Sequence, residues 1–353
     1  MKVGFIGLPQ SGKSSVFAAV TGQALDPYAP AEVRQAVVRV PDPRLDVLEK
    51  MCNPKKRIEA TVEFFDLPGF SLDDARGRDE FRRFLPIASQ LDLFVVVVRD
   101  FENASVPAYR DRIDPVEDLE AIWSELLFAD LEIVTTRIER IEAALKKPHN
   151  HDQEKKELAL LQSCREALEN DKPLASVIVT EVDERMLGGF SFLTVKPIVG
   201  VRNVSDDRAA EDQPLVHDHL EASITLSASI EAEIATLEPA DREAFLSELG
   251  LTDPARDRLV RACYAAGGMI SFLTMGADEV RAWPVRKDST AVEAAGKIHT
   301  DLARSFIRAE TIGFDELVEI GDLRSAKSAG KLRKEGKTYI VQDGDILNIL
   351  AGS

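Results

Sequence analysis

The chain has 353 residues, 44% of them apolar and 30% charged, with 44 Lys and Arg against 61 Asp and Glu for a net charge of −17. That length and apolar content build two or three packed domains, and the composition excludes dominant disorder and the collagen-like and disulfide-stapled classes. Apolar runs such as Leu93 to Val98 are strand-length, far short of the ~20 residues of a membrane helix, and the acid excess argues against wholesale coating of nucleic acid.

The opening segment, Met1 to Gly7, has no long apolar stretch with a small-residue cleavage site. No signal peptide is expected, and a cytoplasmic setting is. No membrane partner and no sequence-specific DNA partner is expected. Cys52, Cys164 and Cys263 are odd in number and far apart, which fits buried or inert thiols better than disulfides or a metal site.

In chain order, a short apolar strand (Val3 to Ile6) leads through a Gly-bounded loop into a helix ending near Gly22. Strand patterns recur at Gln35 to Val40, Thr61 to Phe65, Leu93 to Val98 and Ile198 to Val201, and the alternation with helical segments predicts an α/β fold around a mostly parallel sheet. From about Asp114, Leu119, Ile122, Leu126, Ile133, Ile138, Ile141 and Leu145 recur at helical spacing. The break at Lys147 to His151 and a second periodic stretch through Leu158, Leu161 and Leu168 predict an inserted helical hairpin. Beyond Gly267 the pattern predicts a hairpin of Ile270 to Met275 with Glu279 to Val285, a helix over Ala291 to Arg308, and a final hairpin of Tyr339 to Gln342 with Ile346 to Leu350. The expected domains are therefore 1–115 with 190–266, an insertion at 116–189, and 267–353.

Gly7-Leu8-Pro9-Gln10-Ser11-Gly12-Lys13-Ser14 matches G-x-x-x-x-G-K-[ST] between a strand and a helix. Its glycines let the segment of Pro9, Gln10, Ser11, Gly12, Lys13, Ser14 and Ser15 curl so that backbone N–H groups face a polyphosphate, and the following helix points its positive end at the same anion. Lys13 is expected to stabilise β/γ-phosphate charge, and the Ser14 hydroxyl to sit on Mg²⁺. The strand Val62 to Phe65 runs into Asp66-Leu67-Pro68-Gly69, a D-x-x-G in which Asp66 serves Mg²⁺ and the Gly69 N–H senses the γ-phosphate. A nucleoside triphosphate, ATP or GTP, is thus the expected ligand. Asn203-Val204-Ser205-Asp206 and Ser227-Ala228-Ser229 stand where switch NTPases build a base pocket. Val204 replaces the Lys of N-K-x-D, so the spacing leaves the base open. A small-molecule kinase would use the same P-loop, but D-x-x-G and the base-pocket spacing disfavour it.

At these residues the chain resembles the YchF/Obg-like ATPase family of TRAFAC-class P-loop NTPases over nearly its whole length. The resemblance is carried by Val40 to Leu45, Glu63 to Gly69, Lys196-Pro197-Ile198, Ile230 to Ile234, Glu248 to Leu251, Glu279 to Trp283, Ala294 to His299, Phe306 to Glu310 and Val341 to Asp345. It implies an α/β fold with a P-loop G domain, an inserted α-helical coiled-coil hairpin and a C-terminal β-grasp, ubiquitin-like TGS domain. It also implies slow ATP hydrolysis with Mg²⁺, and association with the ribosome, its large subunit or the 70S particle, through the coiled coil and TGS domain.

The departures bear on the chemistry. The family's N-x-x-E is here Asn203 to Asp206, so a shorter carboxylate takes the base-reading position. The run Phe70 to Arg83 keeps only Gly77 of a glycine-rich loop and is otherwise charged. Phe70 stands where classical switch GTPases place a water-orienting Gln, and Ile87 aligns with a family His. The switch Thr has no counterpart near Tyr28-Ala29-Pro30. No water-positioning residue is identified, so hydrolysis slower than the family's is expected, with a hydrolysis-deficient nucleotide-binding adaptor and a GTP-preferring GTPase as alternatives. A basic stretch, Arg324, Lys327, Lys331, Arg333, Lys334 and Lys337, reads equally as a solvated face or as a contact for ribosomal RNA or protein. Trp283 and Phe272 read as core residues of the C-terminal domain.

Overall fold

A computed structural model of the protein describes residues 1–24, 32–73, 75–147, 151–211 and 213–352. Its elements begin with β1 (Lys2–Ile6), α1 (Lys13–Thr21), β2 (Arg34–Arg39), α2 (Arg44–Cys52), β3 (Lys56–Ile58), β4 (Thr61–Asp66), α3 (Ala75–Ala88), β5 (Leu93–Asp100), α4 (Pro115–Leu145), α5 (Asp152–Glu169), α6 (Glu181–Leu187) and β6 (Ile198–Val204). They continue with β7 (Ala222–Leu226), α7 (Ala228–Thr236), α8 (Pro239–Glu248), α9 (Ala255–Ala266), β8 (Met269–Met275), β9 (Glu279–Arg286), α10 (Ala291–Ile298), α11 (Thr300–Arg304), β10 (Phe306–Gly313), α12 (Phe314–Ile320), α13 (Leu323–Ser328), β11 (Arg333–Glu335) and β12 (Asp345–Ala351). Two compact units emerge, Met1–Ala36 with Glu63–Leu259, and Val37–Val62 with Val260–Ser353. No described helix is long and apolar enough to cross a membrane.

The first unit is built on a sheet of order β2-β4-β1-β5-β6-β7. From β4 through β7 its neighbours pair in parallel, with Val3 opposite both Phe64 and Leu93, and Val201 opposite both Val97 and Ile224. In β5 every residue from Leu93 to Arg99 is buried, the mark of a central strand covered on both faces. α4 starts where Asp114 accepts from the Glu117 N–H (3.0 Å) with Pro115 behind it, which satisfies an otherwise orphaned first-turn donor. α4 and α5 form the expected hairpin. They run antiparallel, with Arg137 bidentate on Glu157 (2.7 and 2.8 Å) and Trp123 Nε1 donating to Asp171 just past α5 (3.0 Å). Leu126, Val134, Ile138 and Ile141 share a core with Leu161, Cys164 and Leu168. Burial pushes the Cys164 thiol up to about 11. Residues 148–150 of the expected turn lie outside the described residues, as does Tyr28-Ala29-Pro30.

In the second unit the order β11-β10-β12-β8-β9, with β8 and β9 antiparallel, β8 and β12 parallel and α10 packed into the core beside Phe272, is a β-grasp arrangement. Phe272 is fully buried and stacks on Trp283 at 6.2 Å. The sheet has a sixth strand from far upstream: β3 pairs in parallel with the edge of β9, Lys56 opposite Glu279.

Two expectations need correction. The helix predicted over Ala291 to Arg308 ends at Ile298, because His299 adopts extended backbone (φ −161°, ψ 141°) and its ring accepts from the Asp301 N–H to start α11. Phe306 onward is a strand, which β-branching and the Phe306 and Ala309 core positions favour. The final hairpin is also absent. Tyr339 to Gln342 makes one isolated bridge, Thr290 to Ile340, among the described residues, while Asp345 takes the Tyr339 hydroxyl (2.7 Å) and the Gln342 N–H (2.9 Å) and turns the chain into β12, whose antiparallel partner is β10.

Asp130, wholly buried on α4, accepts from the Leu193 N–H (2.9 Å), the Thr194 N–H (2.8 Å) and the Thr194 hydroxyl (2.8 Å), anchoring the return of the chain to β6. Asp130→Ala leaves those donors unpaired in the interior, and equilibrium urea unfolding should show a loss of about 2–4 kcal/mol.

Candidate functional site

Four loops converge at the carboxyl ends of the parallel strands: residues 7–14 after β1, 66–69 closing β4, 203–206 closing β6, and 227–229 after β7. That edge is where open α/β sheets bind ligands. The first loop curls because Gln10 (φ 64°) and Gly12 (φ 81°) both take left-handed backbone. Only glycine fits at position 12, where a β-carbon would also collide with the Asn203 side-chain nitrogen. Gly12 is the N-cap of α1, and Ser11, 2% exposed, turns a buried hydroxyl inward that has no partner among the described residues. An orphaned donor beside a helix N-terminus suits an anion.

Lys13 lies 6% exposed, with Nζ 3.4 Å from Ser14 Oγ and ion-paired to Asp66 Oδ1. Burial lowers its affinity for its proton, which the Asp66 carboxylate partly offsets. One ammonium thus contacts both expected cation ligands, a hydroxyl and a carboxylate. Among the described residues no three His, Cys, Asp or Glu side chains gather as a metal site. Gly69 lies beside this loop, where a β-carbon would sit 3.8 Å from the Gly7 carbonyl oxygen.

The other two loops are stitched to the first by Asn203. Its Nδ2 donates to the Ser11 carbonyl (3.1 Å) and its Oδ1 accepts from the Ala228 N–H (3.1 Å), all of it buried. Asp206 Oδ1 accepts from the Ser227 hydroxyl (2.5 Å) and from the Ser229 hydroxyl. Asn203, Asp206, Ala228 and Ser229, together with Gln10, Gly12, Ser15, Phe101 and Val204, line a cavity of about 930 Å³. Pro9, half-buried, completes the loop between Leu8 and Gln10.

Two residues that depart from the pattern, Phe70 and Ile87, are packed in or against the apolar interior. Phe70 is 1% exposed and packs its ring 4.4 Å from that of Phe81. Ile87 packs half-buried against the core of the first unit, on α3, into which the charged, glycine-poor run folds. His217 and His219 face each other at 5.0 Å, and His219 stacks on Trp123.

Sequence reasoning missed two arginines. Arg99, 3% exposed at the end of the valine run, donates to the carbonyls of Phe101 (3.0 Å), Gln10 (3.3 Å), Val106 (2.8 Å) and Pro107 (3.2 Å), with its guanidinium 4.4 Å from the Phe101 ring. It fixes one wall of the cavity to the phosphate loop. A single cation closing an otherwise apolar buried strand was the available signal. The other is Arg34, whose Nη2 lies 2.8 Å from Asp66 Oδ2.

Comparison with known proteins identifies the family. Residues 2–137 match a family described as 50S ribosome-binding GTPase, and residues 269–351 match the YchF-GTPase C-terminal family, described as a protein of unknown function. The chain is 37% identical to the ribosome-binding ATPase YchF of Bacillus subtilis, covering 99% of this chain and 98% of that one. It is 34% identical to Obg-like ATPase 1 of Oryza sativa, covering 98% and 91%. The solved YchF GTPase of Schizosaccharomyces pombe superposes with a TM-score of 0.83 at 25% identity, covering 99% and 97%. With such identity sustained from end to end, the chain belongs to the YchF family.

Proposed function

We propose that this protein binds ATP with Mg²⁺ in the cavity closed by Asn203 and hydrolyses it slowly, as a ribosome-associated switch in the cytoplasm. The observation that carries the reading is the double hydrogen bond of Asn203, which makes the phosphate loop and the base loop one rigid receptor. The names of the relatives, ribosome-binding ATPases, support the substrate and the partner.

Each site residue then has a role. The backbone from Gln10 to Ser15 cradles the phosphates, with the Ser11 hydroxyl as a further donor, and Lys13 leaves Asp66 for the β/γ-phosphate oxygens. Ser14 and Asp66 hold the cation, whose charge screens the polyphosphate. The Gly69 N–H faces the terminal phosphate. Val204, Asp206, Ser227, Ala228 and Ser229 frame the base. Because two serine hydroxyls already bond one Asp206 oxygen, that carboxylate has less capacity for the paired N–H donors of guanine than for the single exocyclic amine of adenine. The charged α4–α5 hairpin and the exposed Lys327, Lys331 and Lys334 of the C-terminal unit supply surfaces for ribosomal RNA or protein.

Slow turnover follows from what stands at the water-positioning places, since apolar Phe70 and Ile87 neither donate nor accept hydrogen bonds. In single-turnover assays with Mg²⁺, the isolated protein should hydrolyse ATP well below ~1 per second, and a rate at or above that sinks the slow-switch reading. Calorimetry on nucleotide-free protein should show ATP binding more tightly than GTP; the reverse order makes it a guanine site. Lys13→Ala should weaken ATP binding by roughly 10–100-fold, and chelating Mg²⁺ with EDTA should weaken it comparably. Gly12→Ala should abolish binding and also lower the unfolding midpoint, because its β-carbon displaces Asn203 from two buried hydrogen bonds and alanine is strained in left-handed backbone.

A further inference from the structure

Arg34, the first residue of β2, is the second cation on Asp66. It takes Oδ2, the oxygen Lys13 leaves, so the carboxylate is clamped between two positive groups. The Arg34 side chain is 26% exposed while that of Asp66 is 6% exposed, so the guanidinium is the more solvent-exposed partner of the pair. Its carbon also lies 5.1 Å from the ring centre of Phe17, a fully buried residue of α1, a cation–π seat beside the helix that carries the phosphate loop.

The electrostatics of loading single out Arg34, on the reading above that the site takes a triphosphate with a divalent cation. For Asp66 to serve that ion, both Lys13 and Arg34 must give up their oxygens. Two unit charges exchange for one double charge, so Asp66 keeps its balance, and two freed cations face a strongly negative polyphosphate. Lys13 is committed to the β/γ-oxygens. Arg34, whose polar contact is to the D-x-x-G aspartate and not to the base loops, stands at the terminal-phosphate end. A planar guanidinium suits two oxygens of one phosphoryl group.

We propose that Arg34 is a terminal-phosphate contact, parked on Asp66 in the nucleotide-free protein and transferred to the γ-phosphoryl oxygens of a bound triphosphate, so that the site distinguishes triphosphate from diphosphate. A diphosphate ends short of its reach, and Arg34 then returns to Asp66.

The test is calorimetric titration of the full-length nucleotide-free protein with Mg²⁺ and either a non-hydrolysable ATP analogue or ADP, for wild type, Arg34→Ala and Arg34→Lys, with thermal melts to confirm folding. Arg34→Ala should weaken the triphosphate analogue by about 10–100-fold and ADP by less than about 3-fold, and Arg34→Lys should keep part of the difference by retaining the charge without the fork. Equal losses for both nucleotides overturn the proposal, as does no loss. Tighter triphosphate binding by Arg34→Ala overturns it too, since Arg34 would then only compete for Asp66. Should Arg34→Ala fail to fold, the Arg34→Lys ratio decides: a triphosphate-to-diphosphate ratio equal to wild type overturns the proposal. Wild-type protein that binds neither nucleotide overturns this inference together with the nucleotide reading, whereas normal wild-type binding with an unchanged variant ratio overturns this inference alone.

Discussion

Parallel pairing is the constraint from which the site follows. Because β4, β1, β5, β6 and β7 run in one direction in register, every segment that follows one of them starts from the same edge of the sheet. The segments carrying Lys13, Asp66, Asn203 and Ser227 are separated by long stretches of chain, yet the sheet delivers them to one place. The hydrogen bonds of Asn203 then lock two of these segments together, and this works only because residue 12 is a glycine in left-handed backbone. Register and a single missing methyl group decide the geometry of the receptor.

How much of this was legible follows from how each element is stabilised. The parallel strands were readable because burial on both faces demands unbroken apolar runs, as in Leu93 to Val98. The α4–α5 hairpin was readable because a packed helix face repeats every three to four residues. Tyr339 to Gln342 misled because its alternation and turn residues satisfy local rules, while its true constraint is Asp345, whose bonds to Tyr339 and Gln342 are made by a side chain. His299 misled for a similar reason: histidine is tolerated in helices, and only the cap it offers Asp301 shows that the helix ends there. Strand β3, Lys-Arg-Ile, has no apolar pattern because it is a short edge strand with little to bury. In the site, the motif residues were visible because a phosphate loop and a D-x-x-G each demand fixed residue types at fixed spacing. Arg34 and Arg99 were not, because they act through partners that are distant in sequence.

The chain carries a net charge of −17, yet its phosphate site gathers Lys13 and Arg34 around one carboxylate. An acidic background repels polyanions at long range, and salt screens that repulsion beyond about 10 Å at 0.1 M. Affinity for phosphate must therefore come from short-range, partly buried donors. The Ser11 hydroxyl, without a partner among the described residues, the helix N-terminus behind it and the two cations on Asp66 are donors of that kind.

The pairing of β3 with β9 also has a temporal meaning. Lys55 and Asp278, which ion-pair at the start of that ladder, are 223 residues apart. At ~5–20 residues per second, a ribosome needs roughly 10–45 s to make the intervening chain. For that interval the segment from Val37 to Val62 has emerged without the rest of its unit, and a polypeptide released early never receives it. The second unit therefore closes only after its late strands are made, although one of its strands is made early.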